Sequence, residues 1–235
     1  MKIQFLNDLF TSFFETMHHG VYSVFPNKNI SYGLTIILLT LLIKLVLLPL
    51  NIKQIKSTLM MSAIAPEIKK LQTKYKNDPQ KQQQETMKLY KEKGVSPFGG
   101  CLPMLIQWPI LVALYYVFYN LSGINGVSFL WIKDLSKAAA LSDPTSFILP
   151  IVSALTTYVA GILSMPKNAD AAQVKQTTTM NLAMSLLLLY MSIKFKAALV
   201  LYWVVGNLFQ IAQTRFTMYL MKSKTNEVMV DGTDK

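Results

Sequence analysis

Charged side chains are scarce in this sequence: they make up 15% of its 235 residues, whereas about a quarter is usual in a soluble domain. Hydrophobic residues make up 52%. They are gathered into runs close to the roughly 20 residues that a helix needs to cross a bilayer. The shortage of charge therefore argues against an ordinary soluble domain and predicts an all-α, polytopic membrane protein.

Residues that carry catalysis or hold metals are also few. The chain has one cysteine and two histidines, so an internal disulfide is excluded, and the adjacent His18 and His19 lack partner ligands at metal-binding spacing. Cys101 stands in an apolar, proline-rich segment without a paired histidine, which does not suit a nucleophile. A glycine-rich phosphate loop is missing. We therefore expect no enzyme activity, no metal and no cofactor.

Five apolar runs are separated by polar segments. The predicted membrane helices are 29–50, 97–120, 145–165 and a tight pair within 179–219. The predicted connections are 51–96, 121–144 and 166–178, and the flanking segments are 1–28 and 220–235. The flanking segment 1–28 has an apolar helical face, which predicts an amphipathic helix that lies in the membrane interface or packs on the protein.

The distribution of lysine predicts the orientation. The net charge is +11, and residues 51–95 hold ten lysines against four acids, whereas 121–144 holds two of each. Positively charged loops stay in the cytoplasm. We therefore expect a multi-pass protein of the bacterial cell membrane with its N-terminus outside and its C-terminus inside. Lys194 and Lys196 would then lie outside, against the rule.

The basic segment 51–96 carries the pattern of paired helices. Apolar side chains at Ile64, Ile68, Leu71 and Tyr75 step by four, three and four, as in the seam of a helix pair. The turn signal 77–79 follows them. We predict an antiparallel helical hairpin in the cytoplasm, the alternative being a solvated loop.

Lys44 is the most informative residue, because it lies inside the first apolar run and every Asp and Glu falls outside the five runs. A charge at mid-membrane costs about 2.5–3.5 kcal/mol. Lys44 either reaches the cytoplasmic lipid surface or faces a wet cavity open to the cytoplasm. Polar residues from all five runs are candidates to line a shared hydrophilic groove: Thr40, Lys44, Gln107, Thr157, Asn181, Ser185, Trp203, Asn207 and Gln210.

Three motifs resemble those of the YidC-type membrane protein insertases. Residues 100–110 (GCLPMLIQWPI) resemble the second-span signature of that family, 201–207 (LYWVVGN) with Gln213 resemble its last span, and Pro66 with 72–75 resembles the start of its cytoplasmic hairpin. The resemblance covers about residues 30–220. It implies that Lys44 takes the place of a groove cation that is usually arginine, and that Trp203 takes the place of a groove aromatic.

The family resemblance also implies a function and partners. The protein would be a monomer that inserts nascent membrane proteins, alone or with the Sec translocon, without nucleotide or metal. We expect its basic hairpin to attract the ribosome, the targeting machinery or anionic lipids. A small transporter or channel would also need a polar cavity, but coupled transport usually places an acid in the membrane. A purely structural scaffold would leave Lys44 unexplained.

Overall fold

The computed structural model describes residues 2–96, 102–165 and 171–231, with side chains over 8–61, 63–96, 107–165 and 174–220. The helices in chain order are α1 (Lys2–Val24), α2 (Lys28–Val46), α3 (Leu48–Ala63), α4 (Ala65–Lys74), α5 (Pro79–Glu92), α6 (Leu102–Asn120), α7 (Ile148–Leu163), α8 (Ala171–Lys194) and α9 (Ala197–Asp231). Cys101, the start of the predicted helix 97–120 and residues 166–170 of the predicted loop 166–178 lie outside the described residues.

The predicted helix 29–50 is interrupted near its end. Asn27 caps its start, because Asn27 Oδ1 accepts from the backbone N–H groups of Asn29 and Ile30. At the other end α2 stops at Val46 and α3 begins at Leu48, because Pro49 has no N–H to donate and its ring disturbs the preceding turn. The helix that leads into the hairpin, α3, therefore begins at Leu48, before the predicted boundary at residue 51, and follows α2 almost without a break.

Two further boundaries differ from those predicted. The helix α8 begins at Ala171, although 166–178 was expected to be a loop, and α9 continues to Asp231, past the expected end at 219. The added segments 171–178 and 220–231 contain many polar residues, so a search for long apolar runs does not detect them. Over the described residues, three segments are long and apolar enough to cross a membrane: Lys28–Val46, Pro144–Leu163 and Ala197–Leu220.

The helices α4 and α5 form an antiparallel pair. Asp78 caps α5 by accepting from the backbone N–H of Lys81, and Lys93 Nζ lies 2.9 Å from Glu67 Oε1 across the pair. Ile64 is buried, whereas the other three residues of the predicted seam, at 68, 71 and 75, are only partly buried. The hairpin thus has a thin apolar seam and a polar surface.

The N-terminal helix α1 packs on α2 and α6 through one face. Phe14 is fully buried, with its ring 6.3 Å from that of Tyr32 and 5.7 Å from that of Phe118. His18 stacks on the same Tyr32 at 3.8 Å. Leu9, Phe10 and Phe13 on the other faces are exposed. The helix therefore docks on the protein and still presents an apolar surface of the kind that suits the interface.

The connection between α6 and α7 is folded onto the ends of other helices. The Phe129 ring lies directly on Gly33 of α2, where any side chain would collide with it. Lys137 O and Leu135 O accept from the backbone N–H groups of Ala197 and Ala198, which satisfies two donors at the start of α9. The connection therefore joins the N-terminal ends of α2 and α9.

Asp134 stabilises this connection from within. Burial alone would raise the pKa of the Asp134 carboxyl, but hydrogen bonds from Ser136 and the ion pair with Lys137 hold that pKa below its ordinary value. Lys196, the residue before α9, binds the end of α6 from which the connection starts. Its Nζ donates to the carbonyls of Phe118 and Tyr119 at 2.9 and 3.2 Å, which satisfies two acceptors at the C-terminal end of α6.

We expect Phe14→Ala to destabilise the protein by about 3 kcal/mol, because it empties a site enclosed by two aromatic rings. Thermal or denaturant unfolding in detergent measures the change. Phe13→Ala is the matched control, since Phe13 is 42% exposed on the same helix. Equal losses for the two variants would show that α1 does not dock through Phe14.

Candidate functional site

Lys44 reaches across from α2 to the last helix. A methyl group added at Gly206 would lie 3.2 Å from Cε and 3.7 Å from Nζ of Lys44, and 3.8 Å from Cγ2 of Thr40. Thr40 is fully buried and donates its hydroxyl to Ile36 O in its own helix. The long side chain of Lys44 therefore lies against bare backbone of α9.

The charge of Lys44 has no counter-ion in the described part of the chain. Its Nζ makes neither an ion pair nor a hydrogen bond with another described residue, and the side chain is only partly exposed. A cation in such a position needs water or an anionic ligand. Lys44 can therefore supply an attractive charge to an acidic group that comes close to α9.

Asn207, the residue after Gly206, contacts a different helix. Its Nδ2 donates to Thr157 Oγ1 at 2.7 Å and to Thr156 Oγ1 at 3.2 Å, both in α7. Successive helical residues point about 100° apart, so Gly206 faces α2 while Asn207 faces α7. Of the predicted groove residues, Thr157 and Asn207 thus meet each other, whereas Thr40 and Lys44 meet at Gly206.

Gln107 of α6 and Trp203 of α9 each make a contact near the N-terminal end of α9. Gln107 Nε2 donates to the hydroxyl of the fully buried Tyr202 at 2.9 Å, which joins α6 to α9. The Trp203 ring packs edge to face on Phe195, 5.8 Å away, and Phe195 in turn packs on Tyr115. Trp203 therefore belongs to an aromatic row with Phe195 and Tyr115 that joins the N-terminal end of α9 to α6.

Asn181 and Ser185 lie between α7 and α8. Asn181 Nδ2 donates to Tyr158 O at 2.9 Å, and its side chain fills the space above Gly161. Ser185 is buried and donates to Leu182 O in its own helix. The contacts of both residues are with these two helices, so the structure does not bring them together with Lys44.

A second polar layer lies further along α9, and its central pair, Asn51 and Gln213, was not among the predicted groove residues. Asn51 Nδ2 donates to Gln213 Oε1 at 3.5 Å, and both side chains are buried. Gln210, which was among them, approaches Thr214 in its own helix at 3.5 Å. Asn51 follows Lys44 by seven residues and Gln213 follows Gly206 by seven, so the helices run parallel. The equal spacing becomes a signal only once the contact between Lys44 and Gly206 is known.

Comparison with known proteins identifies the family. The family model described as the 60Kd inner membrane protein matches residues 24–225. A Clostridium acetobutylicum protein named membrane protein insertase YidC is 60% identical over 223 residues, which cover 95% of this chain and 87% of that protein. The chain belongs to the YidC insertase family.

Other members of the YidC family agree with this assignment. A Bacillus subtilis protein named membrane protein insertase MisCA is 47% identical over 188 residues, 78% of this chain and 69% of that protein. A crystal structure described as an active YidC insertase with its first transmembrane domain resolved has a TM-score of 0.67 at 30% identity. The match covers 88% of this chain and 46% of that longer one. The all-helical architecture is therefore that of the YidC family.

We expect the contact between Asn207 and Thr157 to couple α9 to α7. A double-mutant cycle of Asn207→Leu with Thr157→Val should give a coupling of about 0.6 kcal/mol, the usual size for hydrogen bonds between membrane helices. Denaturant unfolding in detergent measures it. Thr35→Val is the control partner, because the Thr35 hydroxyl bonds only within its own helix. Additivity in both cycles would contradict the contact.

Proposed function

We propose that this chain inserts newly made membrane proteins by admitting their polar tails into a groove, open to the cytoplasm, that contains the Lys44 ammonium. The relatives named insertases support the overall activity. The observation that carries the role of the groove is the position of Lys44, which lies beside Gly206 without an anionic partner among the described residues.

The course of the chain supports five membrane crossings. The hairpin follows the C-terminal end of α2, whereas the connection after α6 contacts the N-terminal end of α2 through Ser128 and Phe129. The helix α6 must therefore run the length of the bundle. The same connection leads into α7 and binds the start of α9, so α7 leaves that end and α8 returns to it. In this proposal the five helices that cross the membrane are α2, α6, α7, α8 and α9.

The charges support the orientation with the hairpin in the cytoplasm. Ten lysines lie on the hairpin side. At the opposite end Lys133 and Lys137 are paired with Asp143 and Asp134. Lys196 hydrogen-bonds the end of α6, so this lysine has a structural role that explains its place on the outer side.

The direction of the Lys44 side chain argues against a simple lipid-surface anchor. Helical side chains lean toward the N-terminus of their helix, and in this orientation the N-terminus of α2 is outside. Lys44 accordingly extends to Gly206, nine residues after the start of the apolar segment at Ala197, about 13 Å along the axis. Its charge is held within the membrane rather than at the cytoplasmic surface.

The mechanism follows from the cost of moving polar groups through lipid. A groove that admits water from the cytoplasm shortens the apolar barrier which a polar tail must cross, and Lys44 supplies a transient counter-charge to an acidic tail. The attraction is modest, about 1 kcal/mol, because water screens a partly exposed pair. A weak attraction also lets the tail leave, so the apolar segment of the substrate can enter the lipid.

The polar hairpin suits recruitment rather than chemistry. Its lysines are largely exposed, so they form a positive surface for anionic lipid, ribosomal RNA or targeting machinery. We propose that it receives nascent chains, with or without the Sec translocon, while the membrane helices of a single monomer carry out insertion.

The topology predicts opposite labelling of two positions. Cysteines introduced by Lys70→Cys and Lys133→Cys, in a chain with Cys101→Ser, should react with a membrane-impermeant maleimide from opposite sides. In intact cells only the residue at 133 should react, whereas inverted vesicles should show the reverse. Reaction of the residue at 70 in intact cells would contradict the orientation.

The effect of Lys44 variants should depend on the charge of the substrate tail. We expect Lys44→Gln to lower insertion of an acidic-tailed substrate by a factor of about five, which corresponds to about 1 kcal/mol, and Lys44→Glu to lower it further. Lys44→Arg should retain insertion, because the charge remains. A substrate whose tail acids are replaced by amides should lose less in each case, as measured by protease protection in reconstituted vesicles.

Lys53→Gln is the matched control for this assay, because it removes the same charge from an exposed position on α3. It should leave the ratio of acidic-tailed to amide-tailed insertion unchanged. An equal loss for both tails in Lys44→Gln would mean that Lys44 only keeps the groove hydrated. If neither substrate lost insertion, Lys44 would act only as an anchor at the lipid surface.

A further inference from the structure

Gly206 stands where α2 and α9 come together inside the membrane segment. It is a glycine within a long helix, where glycine costs about 1 kcal/mol relative to alanine. Because it has no side chain, Cε of Lys44 approaches to 3.2 Å from where a Cβ would lie, and Nζ of Lys44 and Cγ2 of Thr40 lie in van der Waals contact with that position at 3.7 and 3.8 Å. Glycine is unfavourable in a helix, but here it makes a specific contact with Lys44. The other cation of α2, Lys28, lies at the start of that helix.

We propose that Gly206 is the positioning residue for the Lys44 ammonium, and therefore determines the preference of the insertase for acidic tails. This inference rests on the proposed function of Lys44. Gly206 makes no contact with substrate charge itself. It acts by letting the side chain of Lys44 lie flat along α9, which keeps the ammonium at a fixed depth.

The position of the Lys44 ammonium should change progressively as the residue at 206 becomes larger. An alanine Cβ would lie 3.2 Å from Cε of Lys44, so the flexible side chain would have to shift by only a few tenths of an ångström. Valine adds two methyl groups beyond that Cβ, which itself lies only 3.7 Å from Nζ, so we expect the side chain of Lys44 to shift further. Gly206→Ala should therefore change the position of the charge slightly, whereas Gly206→Val should displace it from α9.

Gly161 offers a matched control. It is also a helical glycine against which a polar side chain packs, but that side chain is Asn181 in the contact between α7 and α8. Gly161→Ala should therefore disturb packing without moving Lys44. A variant that acts only by loosening the helices should lower insertion of both tails alike.

The test is the ratio of acidic-tailed to amide-tailed insertion in reconstituted vesicles, with folded protein quantified for each variant. We expect Gly206→Val to abolish the acidic preference, as Lys44→Gln does, and Gly206→Ala to reduce it by less than about half of that effect. In a Lys44→Gln background, Gly206→Val should leave the ratio unchanged. Gly161→Ala should lower the insertion of both substrates and leave the ratio of acidic-tailed to amide-tailed insertion at its wild-type value.

A wild-type ratio in Gly206→Val, whatever its yield, would overturn the positioning role. If Gly206→Val does not accumulate, Gly206→Ser serves the same comparison, and a wild-type ratio in both Gly206→Ser and Gly206→Ala would overturn it equally. Failure of the proposed function is distinguishable: Lys44→Gln itself would then show no dependence on tail charge.

Discussion

The first and last apolar helices, α2 and α9, come together where a glycine of α9 faces a lysine of α2. At Gly206 the backbone of α9 is uncovered, and Lys44 of α2 extends over it. In the arrangement proposed above, an uncompensated charge at mid-membrane costs about 2.5–3.5 kcal/mol, which the stability from contacts of the neighbouring helices must offset. The proposed benefit is a cation within the membrane that is available to a passing anion.

The last helix supplies much of that stability, because it contacts a different partner on each face. Tyr202 accepts a hydrogen bond from Gln107 in α6, Asn207 donates to Thr156 and Thr157 in α7, and Gln213 accepts from Asn51 in α3. In lipid such hydrogen bonds and close packing replace the hydrophobic effect as the source of helix association. The face of Gly206 is therefore held in place by contacts on the neighbouring faces.

The sequence was a good guide to the helices and a partial guide to the site. Long apolar runs predict membrane helices because a helix needs about 20 apolar residues to cross the bilayer. The charge of Lys44 drew attention to this residue because a charge within an apolar run is energetically costly. The spacing of Asn181 and Ser185 shows that they share a face, but periodicity cannot say that this face turns to α7. Gly206 has no side chain and therefore contributes no periodic signal. Its role becomes visible only when Lys44 lies against it.

If the proposed groove exists, water from the cytoplasm reaches the level of Lys44 in α2. Alkylation of Lys44→Cys by a charged, impermeant maleimide in inverted vesicles tests it, with Cys101→Ser as background and Leu42→Cys as control. Leu42 lies two residues away in the same helix and is 40% exposed on the outer surface of the protein, where lipid would cover it. Because the thiolate forms only where water reaches, we expect rapid reaction at 44 and little at 42. Equal and slow reaction at both positions would contradict it.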